Sequence, residues 1–248
     1  MRCEVTSEFT KYRVRGAYHW REASRHPLHG WPYTRSRMEW VVRQCTGGHR
    51  VLEIGCGDAA LLARMARTGM EVTGVDSDET ALVLARRLFA REGLRGEFHD
   101  DLGSIKGRKF DAVVLAEVLE HVDDADALLV QVVEFLNDEG RLVLTTPIRT
   151  RERSLDPHHV HEFWPAELQV LVGKYFHEVR LTRMHPVWFV DLMCFGVGRV
   201  RPLAVLANMV RLTTGIELID KLGSPLDFFW TQGVVGSRPR PIGTCLDA

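Results

Sequence analysis

The chain has 248 residues, 45% hydrophobic and 26% charged, with a formal net charge of −1 and a pI near 6.8. That composition suits one large globular domain, or one domain with an appendage. It excludes a uniformly basic nucleic-acid binder.

Five scattered cysteines, never in C-x-x-C spacing, argue against a cysteine zinc site and for a reduced, cytoplasmic setting. The opening stretch "MRCEVTSEFTKYRVRG" lacks the apolar segment of a secretory signal, and no run reaches the ~18 apolar residues of a membrane span.

Residues 1–47 read as a basic helical segment. From Lys11 to Arg50, nine Lys/Arg stand against two acids, Glu22 and Glu39, with the aromatic clusters "AYHW" and "GWPY" among them. A solvated helical face accounts for any single arginine. The segment as a whole is expected to act as a lid over an anionic substrate.

"RVLEIGCG" (50–57) predicts a buried strand and a tight turn, and "DAALLARMARTG" (58–69) a helix. "MEVTGVD" (70–76) is a second strand, followed by the amphipathic helix "SDETALVLARRLFAREG" (77–93) with Ser77 as its N-cap candidate. "GEFHDD" (96–101) and "KFDAVVLAE" (109–117) are further strands. A helix is expected over 123–140, ending at Gly140, and a fifth strand over "RLVLTTP" (141–147). A histidine-rich loop (148–168) runs into a helix. Strands at 177–184 and 228–239 close the pattern. Strand and helix alternate, and the strands are near-continuously apolar. The expected class is therefore α/β: a mostly parallel sheet with helices on both faces, binding ligands at the carboxyl ends of its strands.

The domain layout expected is a lid at 1–47, a catalytic domain at 48–184 and 224–248, and an apolar helical insertion at 185–223. That insertion would pack on the body or on a second subunit of a homodimer. A substrate cover or a membrane-surface contact is the sharper alternative.

"VLEIGCGDA" fits a dinucleotide fingerprint poorly. Only Gly55 and Gly57 are present, and Asp58 stands at the helix start, where a pyrophosphate would sit on the positive helix end. With Glu53 nearby, the turn favours a cationic, phosphate-free ligand such as S-adenosylmethionine. Asp76 is placed for two ribose hydroxyls. After the third strand, Asp101, preferred over Asp100, would take the adenine amino group, with Leu102 as an apolar wall.

Together "VLEIGCGDA", "VTGVDSD", "FHDDL", "FDAVVLAEVLEHV" and "LNDEGRLVLTTP" resemble the class I S-adenosylmethionine-dependent methyltransferases, over about residues 48–184 and the closing strand. The resemblance implies a Rossmann-like seven-stranded sheet with the last strand antiparallel. It also implies cofactor contacts at Glu53, Gly55, Gly57, Asp76 and Asp101. Asp58, Ser77, Leu102 and Glu117 complete the candidate cofactor set. Ala59 departs from the pattern, since many members carry a third glycine there.

"AEVLEHVDD" (116–124) brings Glu117, Glu120 and His121 together. Acids at a helix start are favourable for dipole reasons alone, and a lone histidine is more often structural. The E-x-x-E-H spacing nevertheless looks like that of ubiquinone-pathway catechol O-methyltransferases, which use a divalent ion. It is also similar to that of small-RNA 2′-O-methyltransferases, in which a histidine from an H-x-H-x-F stretch completes the site. By that likeness Glu117, Glu120, His121 and His161 would ligate Mg²⁺, Mn²⁺, Zn²⁺ or Fe²⁺, with His158 and His159 as alternatives to His161. Without a metal, His121, His158, His159 or His161 would serve as general base.

The leading expectation is O-methylation of a hydroxyl on a small molecule such as a sugar or catechol, anionic if the basic segment contacts it. An RNA acceptor is the second reading, weakened by the near-zero net charge. A non-catalytic, cofactor-binding partner subunit is the third.

Overall fold

Valine, isoleucine and leucine recur in the short runs at 51–54, 72–75 and 112–115, with glycine or an acid within two residues after each. Those runs become the strands of a sheet buried on both faces. The structure is a computed structural model that describes residues 11–23, 31–149, 156–188, 201–224 and 228–241. Its strands are β1 (Arg50–Ile54), β2 (Glu71–Val75), β3 (Glu97–His99), β4 (Phe110–Ala116), β5 (Leu136–Pro147), β6 (Phe176–Pro186) and β7 (Phe229–Pro239). They lie in the order β3-β2-β1-β4-β5-β7-β6. β1 to β5 pair in parallel, with Val51 beside Ala112. β7 runs antiparallel to β5 and to β6, placing Leu144 beside Val234 and Met184 beside Thr231.

Successive residues of a strand point to opposite faces, and the core divides accordingly. Val51, Val114, Val143 and Val235 pack with Trp40, Leu62, Met65 and Phe89. These come from α3 (Pro32–Cys45), α4 (Ala60–Arg67) and α5 (Glu79–Arg91). Leu52, Val113, Leu115, Leu142 and Leu144 pack on the other face with Leu129, Val132, Leu168 and Val172. Those belong to α6 (Ala125–Phe135) and α7 (Pro165–Gly173). Each such side chain contributes about 1.5–3 kcal/mol by leaving water. Two short N-terminal helices, α1 (Lys11–Arg15) and α2 (Tyr18–Ala23), lie over the carboxyl edge of β1 and β2.

Two local expectations are corrected. The helix expected over 123–140 ends at Phe135, and Leu136 instead pairs with Phe110 in the sheet. The stretch "NDEG" that follows has no apolar residue with which to seal a helical face. The N-cap of α5 is Asp78, not Ser77. Its carboxylate accepts from Thr80 N and Ala81 N, while Ser77 stays exposed in the turn.

Of the expected insertion, the helices Arg201–Thr214 and Leu218–Lys221 are described; residues 189–200 lie outside the described residues. So do 1–10, 24–30, 150–155 and 242–248, parts of the expected lid, histidine-rich loop and last segment. Ala204, Ala207 and Ile219 pack beside Trp31, Tyr33 and Trp230, which brings the insertion to the carboxyl edge. Among the described residues, no helix is long and apolar enough to cross a membrane.

Candidate functional site

The turn after β1 is held open by backbone conformation. Gly55 (φ +73°) and Gly57 (φ +55°) are left-handed, and so is Ala59 (φ +57°). Ala59 is thus an alanine in a glycine conformation, which gives its departure from the family pattern a physical meaning. Gly55 N and Cys56 N donate to Val75 O, tying the turn to the end of β2. Asp76 continues the tie: its Oδ2 accepts from Gly57 N at 2.7 Å and its Oδ1 from Asp78 N at 2.8 Å. Glu53 is buried, and its Oε2 has no hydrogen-bond partner. Burial first, then the neighbouring Asp58 and Asp76, raises its pKa well above the usual carboxylate range. An acidic, phosphate-averse turn of this kind favours a cation.

Asp58 is fully buried, and its carboxylate turns to α2. Oδ2 accepts from His19 N at 3.0 Å and Trp20 N at 3.2 Å, and Oδ1 lies 3.4 Å from Ala60 N at the start of α4. Trp20 Nε1 also donates to Asp58 O. Asp58 therefore fills the anion position at the α4 terminus while anchoring the N-terminal helices. Tyr12 of α1 lies on the same turn. A Cβ on Gly57 would collide with its hydroxyl, and that hydroxyl is 3.0 Å from His19 Nδ1. At the next crossover Asp101 is exposed, its Oδ1 accepting from Ser104 N, and Leu102 is half-buried beside it.

β4 ends in strain. Glu117 has φ +57°, a conformation costing a non-glycine residue on the order of 1–3 kcal/mol. Its Oε2 meets Arg37 Nη1 at 2.8 Å, and its Oε1 is buried without a partner. Three residues on, Glu120 is fully buried. Oε2 accepts from Thr146 Oγ1 at 2.9 Å, and Oε1 has no partner. Burial, then Glu117, holds the Glu120 pKa well above the ordinary carboxylate range. The backbone carbonyl of Glu120 accepts from Val160 N and His161 N, docking the histidine-rich loop against the β4 end. His121 Nδ1 is 2.9 Å from His158 O, so it donates and leaves the ring lone pair on Nε2.

One donor atom each of Glu120, His121 and His159 lies within 4.8 Å of the others. The structure thus gathers two of the expected ligands and adds His159, an alternative for the fourth. Glu117 is engaged by Arg37 instead. His161 also stands apart from the trio. Its Nε2 is 2.7 Å from Glu167 Oε1 of α7, and its ring lies edge-on to Phe163. The reason is local: Glu167 caps α7 through Trp164 N and draws His161 outward. His158 contributes its carbonyl, and its own N donates to Asp156. Lys11 of α1 lies 3.8 Å from Asp156, so the N-terminal helices touch both ends of the site.

Several residues of this edge were not among the sequence candidates: Tyr12, Tyr33, Arg37, His185, Thr231 and Gln232. Tyr33 Oη is 3.1 Å from Thr231 Oγ1, and the Arg37 guanidinium lies 5.6 Å from the Tyr33 ring centroid. Arg37 had a signal as one of the excess positive charges of residues 11–50, and Tyr33 as part of the aromatic cluster "GWPY".

Residues 52–142 match the family model described as "Methyltransferase domain". The chain is 38% identical over 113 residues to the mitochondrial ubiquinone biosynthesis O-methyltransferase of Schizosaccharomyces pombe, covering 44% of this chain and 41% of that protein. It is 33% identical over 150 residues to the ubiquinone biosynthesis O-methyltransferase of Xanthomonas axonopodis pv. citri, covering 58% and 62%. The chain thus spans roughly two-fifths to three-fifths of these curated relatives. Among solved structures, phosphoethanolamine N-methyltransferase 2 of Haemonchus contortus with S-adenosyl-L-methionine superposes at a TM-score of 0.64 and 15% identity, over 94% of this chain and 59% of that one.

Proposed function

From a chain with the Rossmann-like class I methyltransferase fold and a methyltransferase domain over residues 52–142, we propose S-adenosylmethionine-dependent O-methylation of a small molecule. The observation that carries this reading is one sheet edge. There the acidic glycine turn of β1 and β2 meets the Glu117–Glu120–His121 end of β4 and the His159 loop. The names of the relatives support a hydroxyl on a biosynthetic intermediate as the acceptor.

In this reading Gly55 and Gly57 admit the methionine part, and Glu53 faces its positive charge. Asp76 takes the ribose hydroxyls, and Asp101 with Leu102 borders the adenine. Ser77 and Glu117 flank the same cleft, and Asp58 keeps phosphate out. Transfer is an in-line displacement: the acceptor oxygen bonds to the methyl carbon as the carbon–sulfur bond breaks, its electrons staying on sulfur. The hydroxyl proton goes to a base; without a metal, the tautomer of His121 presents Nε2 for that role. Holding oxygen and methyl in line is the larger task.

The donor set Glu120, His121 and His159 fits a divalent cation. It combines imidazole with a carboxylate whose Oε1 is buried and unpartnered. When bound, such an ion supplies Lewis acidity that lowers the pKa of an acceptor hydroxyl. Arg37 and the basic N-terminal segment support an acceptor with an anionic group. The buried free thiols of Cys45 and Cys56 suit a reducing, cytoplasmic setting.

The test is methyl transfer from labelled S-adenosylmethionine to catechols, sugars and RNA, after chelation and stepwise return of Mg²⁺, Mn²⁺, Zn²⁺ or Fe²⁺. Label in a small catechol or sugar is expected. Label confined to RNA, or calorimetric binding of NAD in place of S-adenosylmethionine, overturns the reading.

A further inference from the structure

His185 breaks the alternation of β6. Met184 belongs to the core cluster of Trp40 on α3, and the next residue also reaches α3, with His185 Nε2 3.1 Å from Ser36 Oγ. Consecutive strand residues normally diverge. A φ of +63°, in the left-handed region, turns this imidazole back. Such a strained state persists only where the surroundings hold it.

What holds it also sets its tautomer. Ser36 Oγ donates to Asp220 Oδ1 at 2.5 Å, so toward the ring it can only accept, and His185 Nε2 carries the proton. The lone pair then sits on Nδ1, which is buried and has no hydrogen-bond partner. Burial, with Arg37 nearby, lowers the pKa to about 3, so the ring is neutral at pH 7.

In the methyl-transfer reading, the surroundings lie on the acceptor side of the edge, beside Glu117 at the end of β4. The Tyr33 ring lies 4.5 Å from the imidazole, Tyr33 reaches Thr231, and Arg37 links Tyr33 to Glu117. Next to Thr231, Gln232 Oε1 is a second buried acceptor without a partner. A phenylalanine at 185 would fill the same stack without leaving a buried acceptor unpaired. What both atoms lack is a donor.

We propose that His185 is a specificity residue of the acceptor site, accepting at Nδ1 a hydrogen bond from an acceptor hydroxyl or amino group other than the one methylated. The inference rests on the methyl-transfer reading. A site built around such a bond rejects analogues that lack the donor.

The experiment compares wild type, His185→Phe and Ser36→Ala on catechol and on pyrogallol, which carries a third hydroxyl. His185→Phe is expected to lower kcat/KM for pyrogallol about tenfold to hundredfold, chiefly through KM, and for catechol by less than about threefold. Affinity for S-adenosylhomocysteine should not change. Nitrogen-15 NMR should show a single Nε2–H tautomer of His185 in wild type and a mixture in Ser36→Ala, with the pyrogallol preference falling in step. Ser36→Ala and the NMR decide the matter if His185→Phe does not fold. Equal losses on both acceptors, or a proton on Nδ1 in wild type, overturn the inference alone. If wild type neither binds S-adenosylhomocysteine nor transfers methyl to any catechol or sugar, the methyl-transfer reading fails and takes the inference with it.

Discussion

Replacing Asp58 by alanine tests how the N-terminal helices are held. The first N–H groups of a helix lack intrahelical acceptors. α2 begins at Tyr18, and the N–H groups of His19 and Trp20 find theirs on Asp58, 39 and 38 residues away. Asp58 thus caps α2 from another element. Loss of a cap costs about 0.5–2 kcal/mol. Each buried donor left unsatisfied adds on the order of 1 kcal/mol. Docking of α1 and α2 should therefore weaken by about 2 kcal/mol, roughly a 30-fold rise in the undocked fraction. Amide hydrogen exchange measures this: residues 18–23 should lose protection by that factor while 51–54 and 113–115 keep theirs.

The pH dependence has a definite sign. Burial lifts the Asp58 pKa to about 6, above the ~3.9 of an unfolded aspartate. Between those values the folded chain binds more protons than the unfolded one. The contribution of this group is full below about pH 4 and is lost as pH rises through 6. Asp58→Asn should flatten that decline while keeping one acceptor oxygen. Unchanged exchange at His19 and Trp20 in Asp58→Ala would refute the reasoning.

Three other outcomes are expected. Gly57→Ala puts a side chain on a left-handed residue and into the Tyr12 hydroxyl, so calorimetry should find S-adenosylhomocysteine affinity down by at least about tenfold. Arg37→Met strands the mostly buried Glu117 carboxylate and should cost about 3 kcal/mol in urea melts, much of it regained in the double variant with Glu117→Gln. His185 has a folded pKa of about 3, below the ~6.5 of unfolded histidine. Its stabilising contribution is present above pH 6.5 and lost as pH falls toward 3, and acid unfolding of His185→Phe should lack that component.

The sheet was readable because its strands are apolar on both faces, so runs such as Val51–Ile54 and Ala112–Leu115 need no partner information. The turn was readable because glycines and acids there serve the backbone directly. Where the sequence was silent, a neighbour distant in it decided. Leu136 is taken by Phe110, His161 by Glu167 and the Asp58 carboxylate by α2. The side proposed to take the acceptor was least legible. Tyr33, His185 and Thr231 stand far apart in the chain and meet only because α3, β6 and β7 share an edge. Nothing in "RMHPV" announces a left-handed histidine.

The reversed direction of β7 has a lasting consequence. Thr231 and Gln232, near its start, arrive at the same rim where β4 and β5 finish. In the proposed reading the donor side is assembled upstream of about residue 120, whereas the opposite wall draws on residues beyond 176. On that reading, substitutions in the later stretch would retune the choice of acceptor and leave the donor half untouched.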